Sequence, residues 1–478
     1  MERFLYSQLK KWKASRDRKP LILEGARQVG KTWLLKQFAK SEYDNFVYIN
    51  CDNNPQLENI FIDYDVKRII RNISAISKET IESGKTLIIF DEVQEFPKAL
   101  TSLKYFCENS PDIHIAAAGS LLGLLDHQGT GFPVGKVDSL FLYPLSFMEF
   151  LLALGNDILV EQIRSHNWEE LNALNFHLTE LLRQYYFVGG MPRSVLSYVE
   201  EQNLQKVRTI QNQILFDYMN DISKHAPKTE IPKISLVWNS IPSQLAKENK
   251  KFIYGTIKKG GRAKEFENAI CWLINAGIVY KIHRAKKLEL PLKFYEDFDC
   301  FKLFVNDLGL LGAMTQSPAS EILVGNNAFS SYKGSFTEQY VAQQFYSANS
   351  GDVNLQNLFY YTNENSTMEI DFAFQTDKVY PVEVKAEQNL KAKSLSTVLK
   401  NNESLFGIRF SMADYKEQNQ MVNVPLPLAE EYLRDCMQGK IQPYTFIANK
   451  SKFKFIKKRY TYPLPCNFSK EPHFPFSP

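Results

Sequence analysis

The stretch LILEGARQVGKTWLLKQF, Leu21 to Phe38, constrains this chain more than any other segment. An apolar triplet runs into Gly25-Ala26-Arg27-Gln28-Val29-Gly30-Lys31-Thr32, which fits GxxxxGK[ST] at every fixed position. A helical segment with Trp33, Leu34, Leu35 and Phe38 follows. Strand, glycine loop and helix in that order make an anion site. The glycines let backbone N–H groups close around phosphates, and the helix N-terminus adds partial positive charge. Lys31 would reach the β- and γ-phosphates of ATP, and the Thr32 hydroxyl would bind Mg²⁺.

The surrounding pattern is α/β. FVYIN (46–50), TLIIF (86–90) and IHIAAAG (113–119) are short apolar runs, as buried parallel strands are. Segments 32–40 and 98–108 between them have helical spacing, so a sheet covered on both faces is expected. TLIIF ends in Asp91 and Glu92. The C-terminal end of a buried strand opens where ligands bind. Asp91 can hold Mg²⁺, and Glu92 can polarise an attacking water as general base, which points to hydrolysis. Ser120, at the end of IHIAAAG, reads either as a γ-phosphate contact or as a helix N-cap.

Residues 150–220 read as all helix. In 228–285, RAKEFENAICWLINAG puts Phe266, Ile270, Leu273 and Ile274 on one helix face. Gly277 stops that helix and IVYKI follows as a strand, the order of a winged helix. Lys258, Lys259, Arg262 and Lys264 precede its last helix and suit DNA phosphates; an interdomain spacer is the equal alternative. Beyond residue 325, SFTEQYVAQQF is helical, and LFYYT, EIDFAFQ and VYPVEVKA are strand-like.

Taken together, PLILEGARQVGKT, LIIFDEVQEFPKALTSLKYF, AAGSLLGLL, FPVGKVDSLFLYPLSFMEFL, YYFVGGMPRSV and KGSFTEQYVAQQF resemble a family of prokaryotic AAA-type ATPases. The likeness covers about residues 1 to 435. It implies a P-loop ATPase module, a winged-helix linker and a restriction-endonuclease-like C-terminal domain. The expected domains are 1–150 (ATPase), 151–225 (helical), 226–300 (winged-helix-like), 301–435 (nuclease-like, α/β) and 436–478 (a basic, irregular tail). Relatives often complete the site with an arginine from a neighbouring subunit, which makes a homo-oligomer a candidate state. Lys136, Arg183 and Arg193 are candidates for such a cation, or ordinary surface cations.

Asp371, Glu383 and Lys385 form a D…ExK pattern, and Glu338 sits on the preceding helix. Two carboxylates on one metal with a lysine near the attacking water is the nuclease requirement. A hairpin centred on Asp377 would set Asp371 opposite Glu383, and the period of two puts Lys385 on the Glu383 face. An active nuclease and an inactive DNA- or partner-binding domain both fit.

Composition bounds the remainder. The 478 residues suggest two to four domains, and 44% hydrophobic with 23% charged is ordinary for a globular chain. No apolar run approaches the ~20 residues that span a bilayer. The charged start MERFLYSQLKKWK lacks a signal-peptide pattern, and the six scattered cysteines form no CxxC pair, so a cytoplasmic setting is expected. The net charge of +4 conceals a tail (439–478) with eight Lys or Arg and one Glu, which leaves the body slightly acidic. NKSKFKFIKKRY interleaves cations with aromatics, a pattern that suits single-stranded nucleic acid or a solvated extension.

Overall fold

The computed structural model describes residues 1–119, 132–247, 250–324, 333–350, 357–363, 365, 367–387, 393–402 and 404–441. Ser120 and the tail beyond 441 lie outside them.

Five parallel strands form the N-terminal sheet: β1 (Leu21–Glu24), β2 (Asn45–Asn50), β3 (Thr86–Asp91), β4 (His114–Ala118) and β5 (Asp138–Phe141), in the order β2-β3-β4-β1-β5. The period of two divides the strands between two cores. Leu21, Leu23, Leu87, Ile89 and Ala116 face Leu34, Leu35 and Phe38 of the Lys31–Glu42 helix. Ile22, Ile88, Phe90, Ile115 and Ala117 face Ile69, Leu100, Leu103 and Phe106 of the Val66–Ser77 and Pro97–Asn109 helices. Each buried Leu, Ile or Phe among them contributes about 1.5–3 kcal/mol, and each alanine less. Because β4 lies between β1 and β3, the loop after β1 and the acids after β3 open at the same sheet edge.

Helices Phe147–Ala153, Asp157–Arg164, Asn175–Val188, Pro192–Glu201 and Leu204–His225 follow, as the sequence suggests. Next come Ile231–Leu245, Tyr254–Ile257 and Ala263–Asn275, and then a hairpin of β6 (Val279–Ala285) and β7 (Glu296–Val305). Gly277, at φ +71°, turns the last helix into β6.

The hairpin does not stand alone. β6 also pairs with β8 (Phe359–Thr362), so it joins β9 (Glu369–Gln375), β10 (Val379–Val384), β11 (Gly407–Ser411), β12 (Lys416–Glu417) and β13 (Met421–Pro425). The result is one eight-stranded mixed sheet, β12-β13-β11-β10-β9-β8-β6-β7. The boundary drawn at residue 300 therefore falls inside β7, and the one at 150 inside the Phe147–Ala153 helix. Helix Ala429–Met437 also runs past 435 and buries Cys436 completely, so the chain is still regular where an irregular tail is expected to begin.

The Lys333–Ala348 helix is buried although it is rich in glutamine. Its amides read backbone from three directions. Gln339 bridges both polar groups of Val305 (2.5 and 3.0 Å), while Gln343 and Gln344 accept from the Leu308 and Phe147 amides at 2.9 Å each. Buried amides satisfied in this way cost little. Among the described residues, no helix is long and apolar enough to cross a membrane.

Candidate nucleotide site and carboxylate cluster

The buried strand β1 delivers the chain into the loop 25–30. Gly25 has φ +149°, and a Cβ there would lie 2.3 Å from the Leu142 carbonyl oxygen; only glycine fits. Gly30, at φ +97°, is the N-cap of the Lys31–Glu42 helix. Lys31 Nζ turns back to donate to the Gly25 and Ala26 carbonyls, both at 2.9 Å. Burial pushes its pKa down to about 8, against the pull of Glu92 and Asp91. Thr32 Oγ1 donates to Asp91 Oδ2 (2.8 Å) and lies 3.0 Å from Oδ1, and the Tyr48 hydroxyl donates to Oδ2 at 2.7 Å. A hydroxyl and a carboxylate converging here fit a hard divalent cation. Glu92 follows at φ +50°, and Gln94 Nε2 donates to its Oε2 at 2.5 Å.

The loop is clamped from other parts of the chain. Arg3 Nη1 donates to the Val29 carbonyl at 2.9 Å, and Arg3 Nε to Glu149 Oε2 at 3.1 Å. From the Leu204–His225 helix, the Tyr218 hydroxyl donates to the Arg27 carbonyl (3.1 Å), and Asp217 accepts from Gln28 Nε2 (2.9 Å). Asp221 of the same helix pairs with the Arg27 guanidinium at 2.8 Å. Gly277 abuts Ala26, so a Cβ on it would come 3.1 Å from the Ala26 amide nitrogen.

The other candidate cations have separate surroundings, and Arg193 follows Pro192, whose ring would lie 3.6 Å from a Cβ on Gly30 of the loop. Lys136 pairs with Glu108 at 2.9 Å, Arg183 lines a cavity of about 530 Å³ with Asn172, Phe176 and Lys333, and Arg193 is exposed at the start of its helix.

The C-terminal candidates do come together. β9 and β10 pair with Val382 opposite Phe372 and Val379 opposite Gln375, a hairpin centred on Asp377. Continuing that register sets Glu383 opposite Asp371, whose Oδ2 accepts from the Val384 amide at 2.7 Å. Lys385 Nζ lies 2.5 Å from Glu383 Oε1.

Two further lysines enter from elsewhere. Lys250 pairs with Glu338, and Lys302 of β7, wholly buried, lies 2.5 Å from Glu369 and 3.7 Å from Glu338. Burial opposes the Lys302 ammonium, but Glu338, Glu369 and Asp371 outweigh it and raise its pKa. Asp371 is raised well above the usual carboxylate range by burial first, then by Glu338 and Glu383. Glu383 is raised by burial against the pull of Lys385. Burial also disfavours the Glu338 anion, yet Lys250 and Lys302 carry its pKa below the ordinary value.

The buried Glu338 Oε2 and Glu383 Oε2 have no hydrogen-bond partner, which leaves acceptors for a cation. Even so, the three carboxylates do not bring ligand atoms within 4.8 Å of one another, and lysine ammoniums hold the places beside them. As they stand, these residues fit an ion-pair cluster rather than a metal site. Among the described residues only His166, Glu431 and Asp435 meet that spacing. There each ring nitrogen of His166 faces its own carboxylate, at 3.3 and 3.0 Å, and Arg434 and Lys440 pair with the same acids. That is also an ion-pair network.

Residues 17–151 match the AAA domain family. Two domains of unknown function follow, DUF8612 at 179–321 and DUF4143 at 333–429. No curated protein matches the chain. Similar solved structures include a Walker-type ATPase of Pyrococcus abyssi, at 13% identity over 65% of this chain and 94% of that one, with a TM-score of 0.41. The Aeropyrum pernix Orc1 protein in complex with DNA matches at 13% identity over 68% and 95%, TM-score 0.29. The Thermotoga maritima RuvB Holliday junction branch migration motor matches at 14% over 58% and 86%, TM-score 0.26.

Sequence reasoning named the loop and the two acids after TLIIF, and the fold brings Thr32 against Asp91. It missed Tyr48, Arg3 and Asp221 around the loop, and Lys250 and Lys302 in the carboxylate cluster. Lysine in the strand EDFDCFKLFV carries no outward mark of burial, because its partners arrive from Glu338 and Glu369.

Proposed function

We propose that this chain binds Mg²⁺-ATP in the loop 25–32 and hydrolyses it. The observation that supports this most is the convergence of Lys31, Thr32, Asp91 and Glu92 at one sheet edge. The loop amides and Lys31 would take the phosphates. Thr32 and Asp91 would hold Mg²⁺, which neutralises phosphate charge when bound. Glu92 would orient and deprotonate the attacking water, with Gln94 fixing its carboxylate. The helices resting on the loop would carry the nucleotide state to the C-terminal region.

For that region the ion-pair cluster favours a nucleotide-controlled binding module for DNA or a protein over a working nuclease. Lys250, Lys302 and Lys385 already pair with Glu338, Glu369 and Glu383. The helix–hairpin unit resembles a winged helix, and its exposed Lys258, Lys259, Arg262 and Lys264 suit phosphate contacts.

The test is ATP hydrolysis with and without DNA. Lys31→Ala is expected to lose ATP binding; Glu92→Gln is expected to bind and not hydrolyse. Full turnover by either variant refutes the assignment, and plasmid cleavage that Glu383→Ala abolishes refutes the binding-module reading.

A further inference from the structure

Arg27 is the only charged side chain in the loop 25–30. Its Nη1 lies 2.8 Å from Asp221 Oδ1, and its Nη2 lies 3.8 Å from Glu95 Oε1. His225 stands 3.4 Å from Asp221 and 3.7 Å from Glu95, and Lys224 stands 3.7 Å from Glu95. The pair is close but poorly bonded. Arg27 Nε and Asp221 Oδ1 are buried, and neither has a hydrogen-bond partner among the described residues. A carboxylate bound in the parallel two-bond geometry would accept two guanidinium N–H bonds, one on each oxygen; here Asp221 Oδ1 accepts none and Arg27 Nε donates none. Arg27 keeps donor capacity inside the loop that would receive the terminal phosphates.

Its neighbours mark the same place. Arg27 and Asp221 both act electrostatically on the Lys31 ammonium, and Asp221 also feels Glu92. The guanidinium thus stands in the same loop as Lys31, beside Glu95, three residues after the acid that would hold the water. A terminal phosphate, with three acceptor oxygens and more charge, is a better partner for a guanidinium than one partly buried carboxylate.

We propose that Arg27 binds the γ-phosphate of ATP, and that Asp221 is the partner it leaves when ATP arrives. This rests on the ATP reading above. ADP has no γ-phosphate and leaves the Arg27–Asp221 pair in place. ATP breaks it and loosens the Leu204–His225 helix from the loop. Asp221 is not stranded by the exchange, because His225 remains beside it.

The experiment is calorimetric titration of Mg²⁺-ADP and of a non-hydrolysable Mg²⁺-ATP analogue. The samples are the full wild-type chain, Lys31→Ala, Arg27→Ala, Asp221→Asn and the Arg27→Ala/Asp221→Asn double variant. Arg27→Ala is expected to weaken the ATP analogue about tenfold or more while ADP changes little. Asp221→Asn is expected to tighten the ATP analogue about five- to tenfold and leave ADP unchanged. The double variant should behave as Arg27→Ala alone, since Asp221 acts only through Arg27. A ratio of ATP to ADP affinity that neither single variant moves overturns the inference, and so does strict additivity in the double variant. If Lys31→Ala abolishes binding while those results hold, only this inference falls. A wild type that binds neither nucleotide overturns the ATP reading and this inference with it.

Discussion

Replacing Lys302 with methionine tests what holds the C-terminal cluster together. The ammonium is wholly buried, 2.5 Å from Glu369 and 3.7 Å from Glu338, with the Tyr360 ring centre 4.8 Å away. Methionine keeps the length and apolar stem and removes only the charge. Glu338, Glu369, Asp371 and Glu383 would then face Lys250 and Lys385 alone. Removing one partner of a buried pair costs about 3–5 kcal/mol. Glu369 is 26% exposed and solvent screens it in part, so the lower end, about 3 kcal/mol, is expected.

The pH signature distinguishes this loss from a packing defect. The Lys302 pKa is raised in the folded chain. Its contribution is therefore fully present below the unfolded lysine value and is lost only at strongly alkaline pH. Between pH 5 and 8 the wild type keeps it. In the variant Asp371, already raised, loses a cation and rises further, and Glu338 loses one of the two lysines that hold it down. The penalty is largest at about pH 8 and shrinks as they protonate towards pH 5. The assay is thermal melting of wild type and variant at several pH values. A chain of this size gives roughly 1–2 °C per kcal/mol, hence a drop of about 3–6 °C at pH 8. A drop equal at every pH refutes the electrostatic reasoning. Added Mg²⁺ or Mn²⁺ that raises the melting temperature of the variant refutes the ion-pair reading in favour of a cation site.

Three further outcomes are expected. Gly25→Ala places a Cβ 2.3 Å from the Leu142 carbonyl oxygen, and should cost at least about 1–3 kcal/mol and abolish ATP binding by titration. Gly84→Ala, with φ +72° but open space around it, is the control and should cost only about 1–2 kcal/mol without touching ATP affinity. Asp371 has a folded pKa raised above its unfolded value, so its ionised form costs stability as pH rises through the folded pKa. Asp371→Asn keeps an acceptor for the Val384 amide and should melt at or above the wild-type temperature at pH 8, the gain vanishing near pH 4; a large loss at pH 8 contradicts this. Lys31 is held down to about 8, and ATP needs its ammonium, so affinity should fall by up to about tenfold per pH unit above 8. A flat profile from pH 7 to 9.5 refutes it.

What the sequence made legible was whatever carries a short-range pattern. The unbroken apolar runs became β1, β3 and β4 because a sheet covered on both faces needs apolar residues at every position. The register of β9 and β10 could be read from the turn, since Asp377 sits at the centre of the observed pairing. β5 was not visible: DSLF is half polar, and its strand character comes from lying beside β1 at the sheet edge. The joining of β6 to β8 was hidden for a similar reason, because parallel pairing across more than seventy residues leaves no local mark. Around the loop, GARQVGKT announces itself, but Asp221 is one acid in a long amphipathic helix and only the fold places it against Arg27.

The same long-range pairing sets the relation between the two candidate sites. Gly277 touches the loop at Ala26, and β6 begins two residues later. Lys302 pairs with Ile282 across the hairpin, about 17 Å of strand from Gly277. One short strand thus spans from phosphate loop to carboxylate cluster. Lying between two sites does not by itself couple them; the element must have two arrangements that both sites bias. Gly277→Ala separates these cases. The added Cβ would press on the Ala26 amide at 3.1 Å, and φ +71° costs an alanine about 1–2 kcal/mol. If β6 transmits, ATP affinity should weaken about fivefold or more, and hydrogen exchange at Lys302 and its strand neighbours should respond to ATP in the wild type but not in the variant. Exchange in β7 that ignores ATP in both proteins reduces β6 to a spacer, and leaves the Leu204–His225 helix as the route out of the nucleotide site.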